Sequence, residues 1–304
     1  MAAFQHILAS FLSFFTNLFH RRTASTPASN DIEANPKDGA ATPDTTEVPV
    51  PASAEPQPKP EPESQPAKTL TAAEVFDSVG PAYEDAFTGL PTQAAAIDWL
   101  VQQLKASPAT AAGGAKIVDV GCGTGRPACS VLADAGHDVL GIDISEEMLK
   151  AARARVPNAT FELIDVRAFI ERQKAHPESL DAVTVFFSLI AGVTQDDIRA
   201  VLSGLAGLLK PGGFLVFSTV PIPVNNESIK WMGRPVVVSS LSPEEGVAAV
   251  KAAGLEVKYD AVTKFKPQGA EVGICQPDEV WEESHLFVYA QKPVAEAAAV
   301  VASA

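Results

Sequence analysis

From residue 69 onwards, short runs of β-branched and apolar residues alternate with stretches whose apolar residues recur every three to four positions. The first pattern is typical of strands buried on both faces of a parallel sheet, and the second is typical of helices that cover the sheet. The predicted strands lie at 117–120, 138–144, 160–164, 181–187 and 214–220, with a closing antiparallel pair at 255–265 and 285–291. This order predicts a doubly wound α/β fold with helices on both faces of a mostly parallel sheet.

Capping residues mark where several of the predicted helices begin. Thr71 and Glu74 are spaced as a capping box, and Ser145 and Ser242 each precede acidic residues that suit the positive end of a helix dipole. The predicted helices lie at 71–83, 91–104, 128–135, 145–155, 195–209 and 242–253. Residues 221–240 follow no clear period, and we expect them to form an irregular insertion after the fifth strand.

One stretch combines a strand, a glycine-rich turn, a helix and a second strand. After the first buried strand, Gly121, Gly123 and Gly125 let the backbone turn sharply and present N–H groups to a ligand. The next strand ends in Asp143, whose carboxylate is placed to accept hydrogen bonds from both hydroxyls of a ribose. This order is the mononucleotide-binding half of a doubly wound sheet, in which ligands bind beyond the carboxyl ends of the strands.

Two classes of nucleotide ligand use this arrangement. Dinucleotide-binding enzymes favour G-x-G-x-x-G, and here Arg126 stands at the sixth position, which disfavours a nicotinamide-dependent oxidoreductase. The chain instead has Asp119 before the glycines, and the resulting Asp-x-Gly-x-Gly-x-Gly resembles motif I of class I S-adenosylmethionine-dependent methyltransferases. The resemblance covers roughly residues 75–291 and implies a seven-stranded, mostly parallel, Rossmann-like sheet with S-adenosylmethionine as cofactor.

The resemblance also implies cofactor contacts, position by position. Asp119 and the glycine loop are expected to hold the amino-acid end of S-adenosylmethionine, Asp143 to bind the ribose, and Asp165 to accept the adenine amino group. The large apolar residues that end the fourth strand are explained equally well as core. The residues expected at the cofactor are Asp119, Gly121, Cys122, Gly123, Gly125, Asp143, Ile144, Met148, Asp165, Val166 and Phe186.

The implied chemistry is an in-line methyl transfer, in which the protein mainly aligns donor and acceptor. No His, Cys and Asp cluster indicates a metal, and a general base is needed only where the acceptor must lose a proton. Candidate catalytic groups are His285, at the start of the last strand, and Tyr83, on a helical lid expected to close over the cofactor. The residues expected at the acceptor are Tyr83, Phe187, Trp231 and Arg234. A structural histidine and a plain surface loop are the open alternatives.

Segments at 187–194, 231–235 and 285–289 are similar to those of small stand-alone methyltransferases of specialised metabolism. We therefore predict an enzyme that methylates an O, N or S atom of a small molecule rather than of a protein. The alternative is a cofactor-binding, methyltransferase-like protein that acts as a regulator or scaffold without catalysis, because no unmistakable base is present.

The N-terminal part of the chain has a different composition. Apolar residues recur at helical spacing over residues 4–19, which predicts an amphipathic helix that lies on a membrane or in the groove of a partner. The next stretch is rich in Pro, Ala, Ser, Thr and acids, which predicts a disordered linker. The predicted division is an N-terminal helix at 1–22, the linker at 23–68, a methyltransferase domain at 69–292 and a flexible tail at 293–304.

Charge and cysteine content disfavour other classes of protein. The 304-residue chain carries a net charge of −14 and no basic stripe, which argues against a nucleic acid partner. No apolar stretch reaches the ~20 residues that cross a bilayer. Three cysteines without metal-ligand spacing indicate free thiols in a reducing compartment. We therefore expect a cytoplasmic protein that its N-terminal helix could bring to a membrane.

Overall fold

A computed structural model describes residues 69–111 and 114–294, which include most of the predicted methyltransferase domain. The predicted N-terminal helix at 4–19, the predicted linker at 23–68 and the tail beyond residue 294 lie outside the described residues. Within the described ranges, no helix is long and apolar enough to cross a membrane.

A seven-stranded sheet and a separate two-stranded hairpin organise the described residues. The strands are β1 (Lys116–Val120), β2 (Asp138–Asp143), β3 (Thr160–Leu163), β4 (Leu180–Phe186), β5 (Leu209–Thr219), β6 (Glu227–Trp231), β7 (Arg234–Val238), β8 (Glu256–Phe265) and β9 (Glu283–Gln291). The order in the large sheet is β3-β2-β1-β4-β5-β9-β8, and β1 pairs in parallel with both β2 and β4. Strand β9 runs antiparallel to β5 and β8, so the predicted seven-stranded, mostly parallel sheet is confirmed.

Helices cover both faces of this sheet. They are α1 (Ala72–Val79), α2 (Ala82–Ala86), α3 (Pro91–Ala106), α4 (Ala128–Asp134), α5 (Glu146–Arg155), α6 (Val166–Gln173), α7 (Gln195–Leu208) and α8 (Pro243–Ala252), with a 3₁₀ turn at Pro277–Glu279. Alternation along β1 divides the core, because Val118 and Val120 pack with residues of α7 and α8 while Ile117 packs with residues of α3 and α4. The same alternation puts Asp119 on the Ile117 face, where it is only 2% exposed.

Two short helices, α1 and α2, precede the sheet and form a lid (residues 72–86) over its carboxyl edge. The predicted capping box is confirmed, since the Thr71 amide donates to Glu74 Oε2 at 2.8 Å and the Glu74 amide donates to Thr71 Oγ1 at 3.2 Å. The single helix predicted at 71–83 is wrong, because two helices form there. Gly80 adopts φ 58°, which ends α1, so Tyr83 belongs to α2.

The insertion after β5 contains a β-hairpin, so the expectation of an irregular segment is wrong. Strands β6 and β7 pair antiparallel, and Trp231 faces Arg234 in the pair that closes the hairpin. Met232 and Gly233 both have positive φ, 44° and 81°, which is the geometry of a two-residue turn that follows the strand twist. Pro235 argues against a strand in the sequence, yet a hairpin made of two edge strands tolerates it.

Candidate active site

A cavity of about 700 Å³ opens at the carboxyl ends of β1, β2, β3 and β4. The lid and the start of α3 form the opposite wall, with Phe76, Tyr83 and Leu90 among the lining residues. Parallel sheets of this topology bind ligands beyond their carboxyl ends, so the cavity lies where the sequence predicts a site. Of the eleven residues expected at the cofactor, ten line the cavity, and Gly125 does not.

Two glycines shape the turn after β1. Gly121 has φ 66°, and a Cβ at this position would stand 2.1 Å from the Ser188 Cβ, so no side chain fits there. The Gly121 amide donates to the Ile142 carbonyl at 2.8 Å, which ties the turn to the end of β2. Gly123 has φ 54° and open space where its Cβ would be, so its backbone is bare toward the cavity.

Gly125 faces the packing layer rather than the cavity, which corrects its expected place at the cofactor. Its φ is 76°, and a Cβ would lie 3.1 Å from both the Phe161 ring and a Val156 methyl group. Its amide donates to the Cys122 carbonyl at 2.9 Å and closes the turn before α4. The absence of a side chain at Gly125 thus lets the turn pack closely against β3.

Backbone amides hold the Asp143 carboxylate from two sides. Gly123 donates to Oδ2 at 2.8 Å, and Ser145 donates to Oδ1 at 2.9 Å. Burial raises the pKa of Asp143, and the hydrogen bonds from these amides oppose that rise. Because a carboxylate offers about four lone-pair directions, Asp143 keeps acceptor capacity for a ligand in the cavity.

Asp119 lies deeper and is held by side chains. Thr184 Oγ1 donates to its Oδ1 at 2.6 Å, and Cys129 Sγ donates to its Oδ2 at 3.3 Å. Burial raises the pKa of Asp119 to about 6, although both hydrogen bonds act in the opposite direction. Above that pH, Asp119 contributes a negative charge beneath the glycine turn.

The cavity is also lined by Asp165, the residue expected at the adenine amino group. Its apolar lining includes Ile144, Met148, Val166 and Phe186. Asp165 caps α6 by accepting from the Arg167 amide at 2.8 Å, and the Arg167 guanidinium reaches the same carboxylate at 3.0 and 2.8 Å. This hydrogen-bonded ion pair lowers the pKa of Asp165. Arg167 therefore occupies part of the acceptor capacity that the sequence assigns to adenine.

Two of the residues expected at the acceptor, Tyr83 and Phe187, line the cavity. Phe187 follows β4 with φ 56°, a left-handed conformation that is costly for a bulky side chain, and its amide donates to the Ser218 carbonyl at 3.0 Å. Tyr83 packs against Phe87 with ring centroids 4.6 Å apart. Burial raises the pKa of Tyr83 above its ordinary range, and nearby carboxylates add to the rise, so the phenol keeps its proton at neutral pH.

His285 does not face the cavity, which corrects the expectation that it could meet an acceptor. Its side chain is fully buried, and its ring lies behind Phe187 with centroids 4.5 Å apart. Its Nε2 lies 3.2 Å from Glu283 Oε2, and its Nδ1 has no partner among the described residues. Phe187 thus separates this buried pair from the space where a ligand could bind.

The two hairpin residues expected at the acceptor, Trp231 and Arg234, contact the lid instead of lining the cavity. Trp231 packs against Phe76 with ring centroids 5.9 Å apart. Arg234 Nε donates to Ser78 Oγ at 2.6 Å, Nη2 donates to the Ser78 carbonyl at 3.1 Å, and Nη1 donates to the Ile274 carbonyl at 2.9 Å. These contacts use the guanidinium to fasten the lid, so the expected carboxylate clamp is not formed.

Two lid carboxylates that sequence reasoning did not single out connect the lid to the cofactor side. Glu84 accepts a hydrogen bond from Thr124 Oγ1 at 2.7 Å and forms an ion pair with Arg155. Asp77 Oδ1 accepts from Ser145 Oγ at 2.6 Å, two residues after Asp143. These partners lie 40 to 71 residues apart in the chain, so no local pattern signals them.

Comparisons with known proteins match this region. A family model described as a methyltransferase domain matches residues 117–213. The ubiquinone biosynthesis O-methyltransferase of Thiobacillus denitrificans is 30% identical over 172 residues, which cover 50% of this chain and 71% of that protein. The dTDP-3-amino-3,4,6-trideoxy-alpha-D-glucopyranose N,N-dimethyltransferase of Streptomyces venezuelae is 32% identical over 140 residues, which cover 43% of this chain and 56% of that protein.

A solved structure with the same fold is that of the (4+2)-cyclase SpnF, with a TM-score of 0.53 and 19% identity over 74% of this chain and 98% of that chain. At that identity the likeness concerns the fold alone. The family is shown by the relative from Thiobacillus denitrificans, which aligns over 71% of its length. The matched domain model agrees with it. This chain is an enzyme that belongs to the class I S-adenosylmethionine-dependent methyltransferases.

Proposed function

We propose that the enzyme moves the methyl group of S-adenosylmethionine to an O, N or S atom of a small-molecule acceptor that binds in the cavity under the lid. The observation that carries this proposal is the Asp143 carboxylate, which two backbone amides fix at the tip of β2 beside the cavity. A carboxylate at the end of the second strand, after a glycine turn, is suited to accept hydrogen bonds from both hydroxyls of a ribose.

The residues present fit the cofactor part by part. The bare backbone of Gly123 and the charge of Asp119 suit the amino-acid end, since that end carries both a carboxylate and an ammonium group. Asp143 suits the ribose. The apolar lining around Met148 suits the adenine ring, and Asp165 suits its amino group to the extent that Arg167 leaves lone pairs free.

Alignment is the main contribution that these residues make. S-adenosylmethionine supplies an activated methyl group on a cationic sulfur when it is bound. Rigid strand tips hold one wall of the cavity, and Glu84 and Asp77 hold the lid against them through Thr124 and Ser145. Well-aligned reactants can lower a barrier by ~7–11 kcal/mol, and a closed lid also keeps water away from the transfer.

Two features support a small acceptor. The relatives named above are a methyltransferase of ubiquinone biosynthesis and a dimethyltransferase of a dTDP-linked amino sugar. The cavity of about 700 Å³ also lies within the range of protein sites for small ligands, and the lid closes over it. These observations support a small molecule that binds next to the cofactor.

Binding calorimetry with S-adenosylmethionine tests the site. Asp143→Ala should weaken binding by about tenfold or more, because the ribose loses its acceptor. Asp196→Ala is the matched control, since the Asp196 side chain is 99% exposed on α7 and should leave the affinity unchanged. Equal affinities in the wild type and Asp143→Ala, or tight binding of NAD in place of S-adenosylmethionine, would contradict the site assignment.

The N-terminal segment has its own proposed role. We propose that residues 1–22 contain an amphipathic helix that attaches the enzyme to a membrane surface through a disordered linker at 23–68. The support is the helical spacing of apolar residues over 4–19. Deletion of residues 1–22 should move the protein from the membrane to the soluble fraction, whereas deletion of 296–304 should not. An unchanged distribution after the first deletion would refute the proposal.

A further inference from the structure

Aromatic rings form the part of the cavity that lies under the lid. Phe76 and Tyr83 line it from the lid, Phe87 lines it from the position directly after α2, and Phe187 lines it from the end of β4. The first three rings pack edge to face and tilted, with centroids 5.7 Å apart for Phe76 and Tyr83 and 4.6 Å apart for Tyr83 and Phe87. Such a wall favours a flat ligand, and its ring faces also attract positive charge.

The charges around the cavity are mainly negative. Among the described residues, four carboxylates line it (Glu84, Asp119, Asp143, Asp165), against two guanidiniums (Arg126, Arg167) and no lysine. Asp165 and Glu84 form ion pairs with Arg167 and Arg155, which leaves Asp119 and Asp143 against the solvent-exposed Arg126. A further carboxylate, Glu283, is buried beside His285, and its charge acts on Tyr83. The described side chains around the cavity therefore present more negative than positive charge, which disfavours an anionic acceptor relative to an uncharged one.

The described lining residues include no carboxylate without a hydrogen-bond partner, so none is singled out as a general base. Each lining carboxylate already accepts hydrogen bonds, Asp143 from two amides, Asp119 from Thr184 and Cys129, and Glu84 from Thr124. Asp165 is bound by Arg167, and the described histidines do not line the cavity. Tyr83 keeps its proton at neutral pH because burial raises its pKa. This lining favours an acceptor that reacts without losing a proton first.

We propose that the acceptor is a planar, largely apolar nitrogen compound that is uncharged at neutral pH, of the pyridine-ring or aryl-amine class. This inference rests on the proposed function and narrows the acceptor of the same site. The nitrogen lone pair forms the new N–C bond while the C–S bond breaks and its electron pair stays on sulfur. Positive charge therefore passes from sulfur to nitrogen, and no base takes part. A pyridine-type product stays cationic, and an aryl-amine product loses its proton to water.

The aromatic wall and the carboxylates then stabilise the positive charge of the methylated product. A charge that moves to nitrogen stays beside ring faces that attract cations, so the developing cation is stabilised as the bond forms. A hydroxyl acceptor of the same shape would need a base to take its proton, and the described lining offers none. Discrimination between nitrogen and oxygen acceptors thus follows from the cavity itself.

Binding of product-like probes tests the inference without catalysis. The complex with S-adenosylhomocysteine should bind N-methylquinolinium about fivefold or more tightly than uncharged methylnaphthalene, which has the same shape. Naphthoate should bind more weakly than both. Equal binding of the cation and the neutral probe, or a preference for naphthoate, would contradict the proposed acceptor class.

Methyl transfer gives a second readout. The rate with quinoline should exceed the rate with naphthol and should stay constant between about pH 6.5 and about pH 9, because no enzyme base titrates. A faster reaction with naphthol overturns the inference and leaves the methyltransferase function intact. A protein that does not bind S-adenosylmethionine fails the proposed function itself, so the two failures are distinguishable.

A variant of one wall residue locates the effect. Phe87→Leu keeps an apolar side chain but removes a ring face, so it should lower the preference for N-methylquinolinium over methylnaphthalene while binding of S-adenosylhomocysteine is retained. Tyr259→Leu is the control, because Tyr259 is 49% exposed on β8 and does not line the cavity. An unchanged preference in Phe87→Leu would contradict the role of the aromatic wall.

Discussion

Arg234 Nε donates a hydrogen bond to Ser78 Oγ at 2.6 Å, which joins the hairpin after β5 to the first helix of the lid, 156 residues earlier in the chain. The same guanidinium also reaches the carbonyls of Ser78 and Ile274. A single planar side chain thus holds the hairpin, the lid and the segment before β9 in one arrangement, since its donors point in fixed directions. The geometry of the aromatic wall depends on this contact because Phe76 lies on the same helix.

We predict that Arg234→Gln loosens the lid. The glutamine side chain is shorter and carries fewer donors, so the Ser78 and Ile274 carbonyls lose a partner, at a cost of about 1–2 kcal/mol. Hydrogen exchange of residues 72–86 should become faster, and KM for both substrates should rise several-fold. Arg199→Gln is the control, since Arg199 makes ion pairs on exposed helix surfaces. Unchanged exchange in the lid of Arg234→Gln would rule out its role as a fastener.

Gly121 and Gly207 give a matched pair for the glycine turn. A Cβ at Gly121 would lie 2.1 Å from the Ser188 Cβ and would meet a backbone with φ 66°, so Gly121→Ala must displace the turn. Gly207 lies on α7 with nothing within 4 Å of its Cβ position, so Gly207→Ala should stabilise the protein, by ~0.5–1 kcal/mol.

Calorimetry and chemical denaturation check this pair together. Gly121→Ala should lower the affinity for S-adenosylmethionine by more than about tenfold, and it should also lower the free energy of unfolding. Gly207→Ala should raise that free energy and leave the affinity unchanged. If Gly121→Ala bound the cofactor normally, the close approach of the turn to Ser188 would have no functional importance.

The parts of the site that the sequence predicts are those built from contiguous residues. The glycine turn and Asp143 lie within one strand–turn–helix–strand unit, whose short connections leave little freedom in where these groups meet. The capping box at Thr71 could be predicted for the same reason, since its partners are three residues apart. Composition and periodicity also sufficed for the centre of the sheet, because β1, β4 and β5 are buried on both faces.

Contacts between distant segments could not be predicted in this way. Both faces of β9 are buried, so the alternation of its residues does not show which face His285 lies on. The pattern also does not reveal that Phe187 packs against His285, so the sequence cannot distinguish a buried histidine from one that faces the cavity. Glu84 meets Thr124 and Arg155 only because the lid folds over the sheet. The contact between Arg167 and Asp165 could have been predicted from the sequence, because the two residues are two positions apart at the start of a helix. At that place the carboxylate can both cap the helix and form an ion pair.

Asp119→Asn should make the protein more stable and the site weaker. Because the folded-state pKa of about 6 lies above the ordinary value of 3.8, the folded protein holds a proton that the unfolded chain lacks between these values. The stability that this proton contributes is lost as the pH rises through about 6. At about pH 8 the buried charge is therefore a cost, and its removal should raise the free energy of unfolding by ~1–2 kcal/mol.

Denaturant titrations at several pH values check the Asp119 prediction. The stabilisation by Asp119→Asn should be full at about pH 8, about half as large at about pH 5 and nearly absent below about pH 4, and the variant should bind the cationic cofactor more weakly than the wild type at the higher pH. Asp138→Asn, at an exposed position at the start of β2, is the control and should show no such pH dependence. Equal stabilisation at all of these pH values would show that the buried charge is not its cause.

His137 gives the opposite dependence on pH. Its side chain is 6% exposed, and neither ring nitrogen has a partner among the described residues. Burial lowers the pKa of His137, and the positive charge of the nearby Lys105 lowers it further. The unfolded chain therefore binds a proton more readily, so the free energy of unfolding is highest above the ordinary histidine pKa of about 6.5 and falls as the pH drops toward the folded-state value.

His137→Phe keeps a ring and should remove this loss, so its stability relative to the wild type should grow as the pH is lowered from about 7.5 to about 5. The same titration of His176→Phe, at an exposed position, should parallel the wild type, and a His137→Phe curve parallel to both would contradict the prediction.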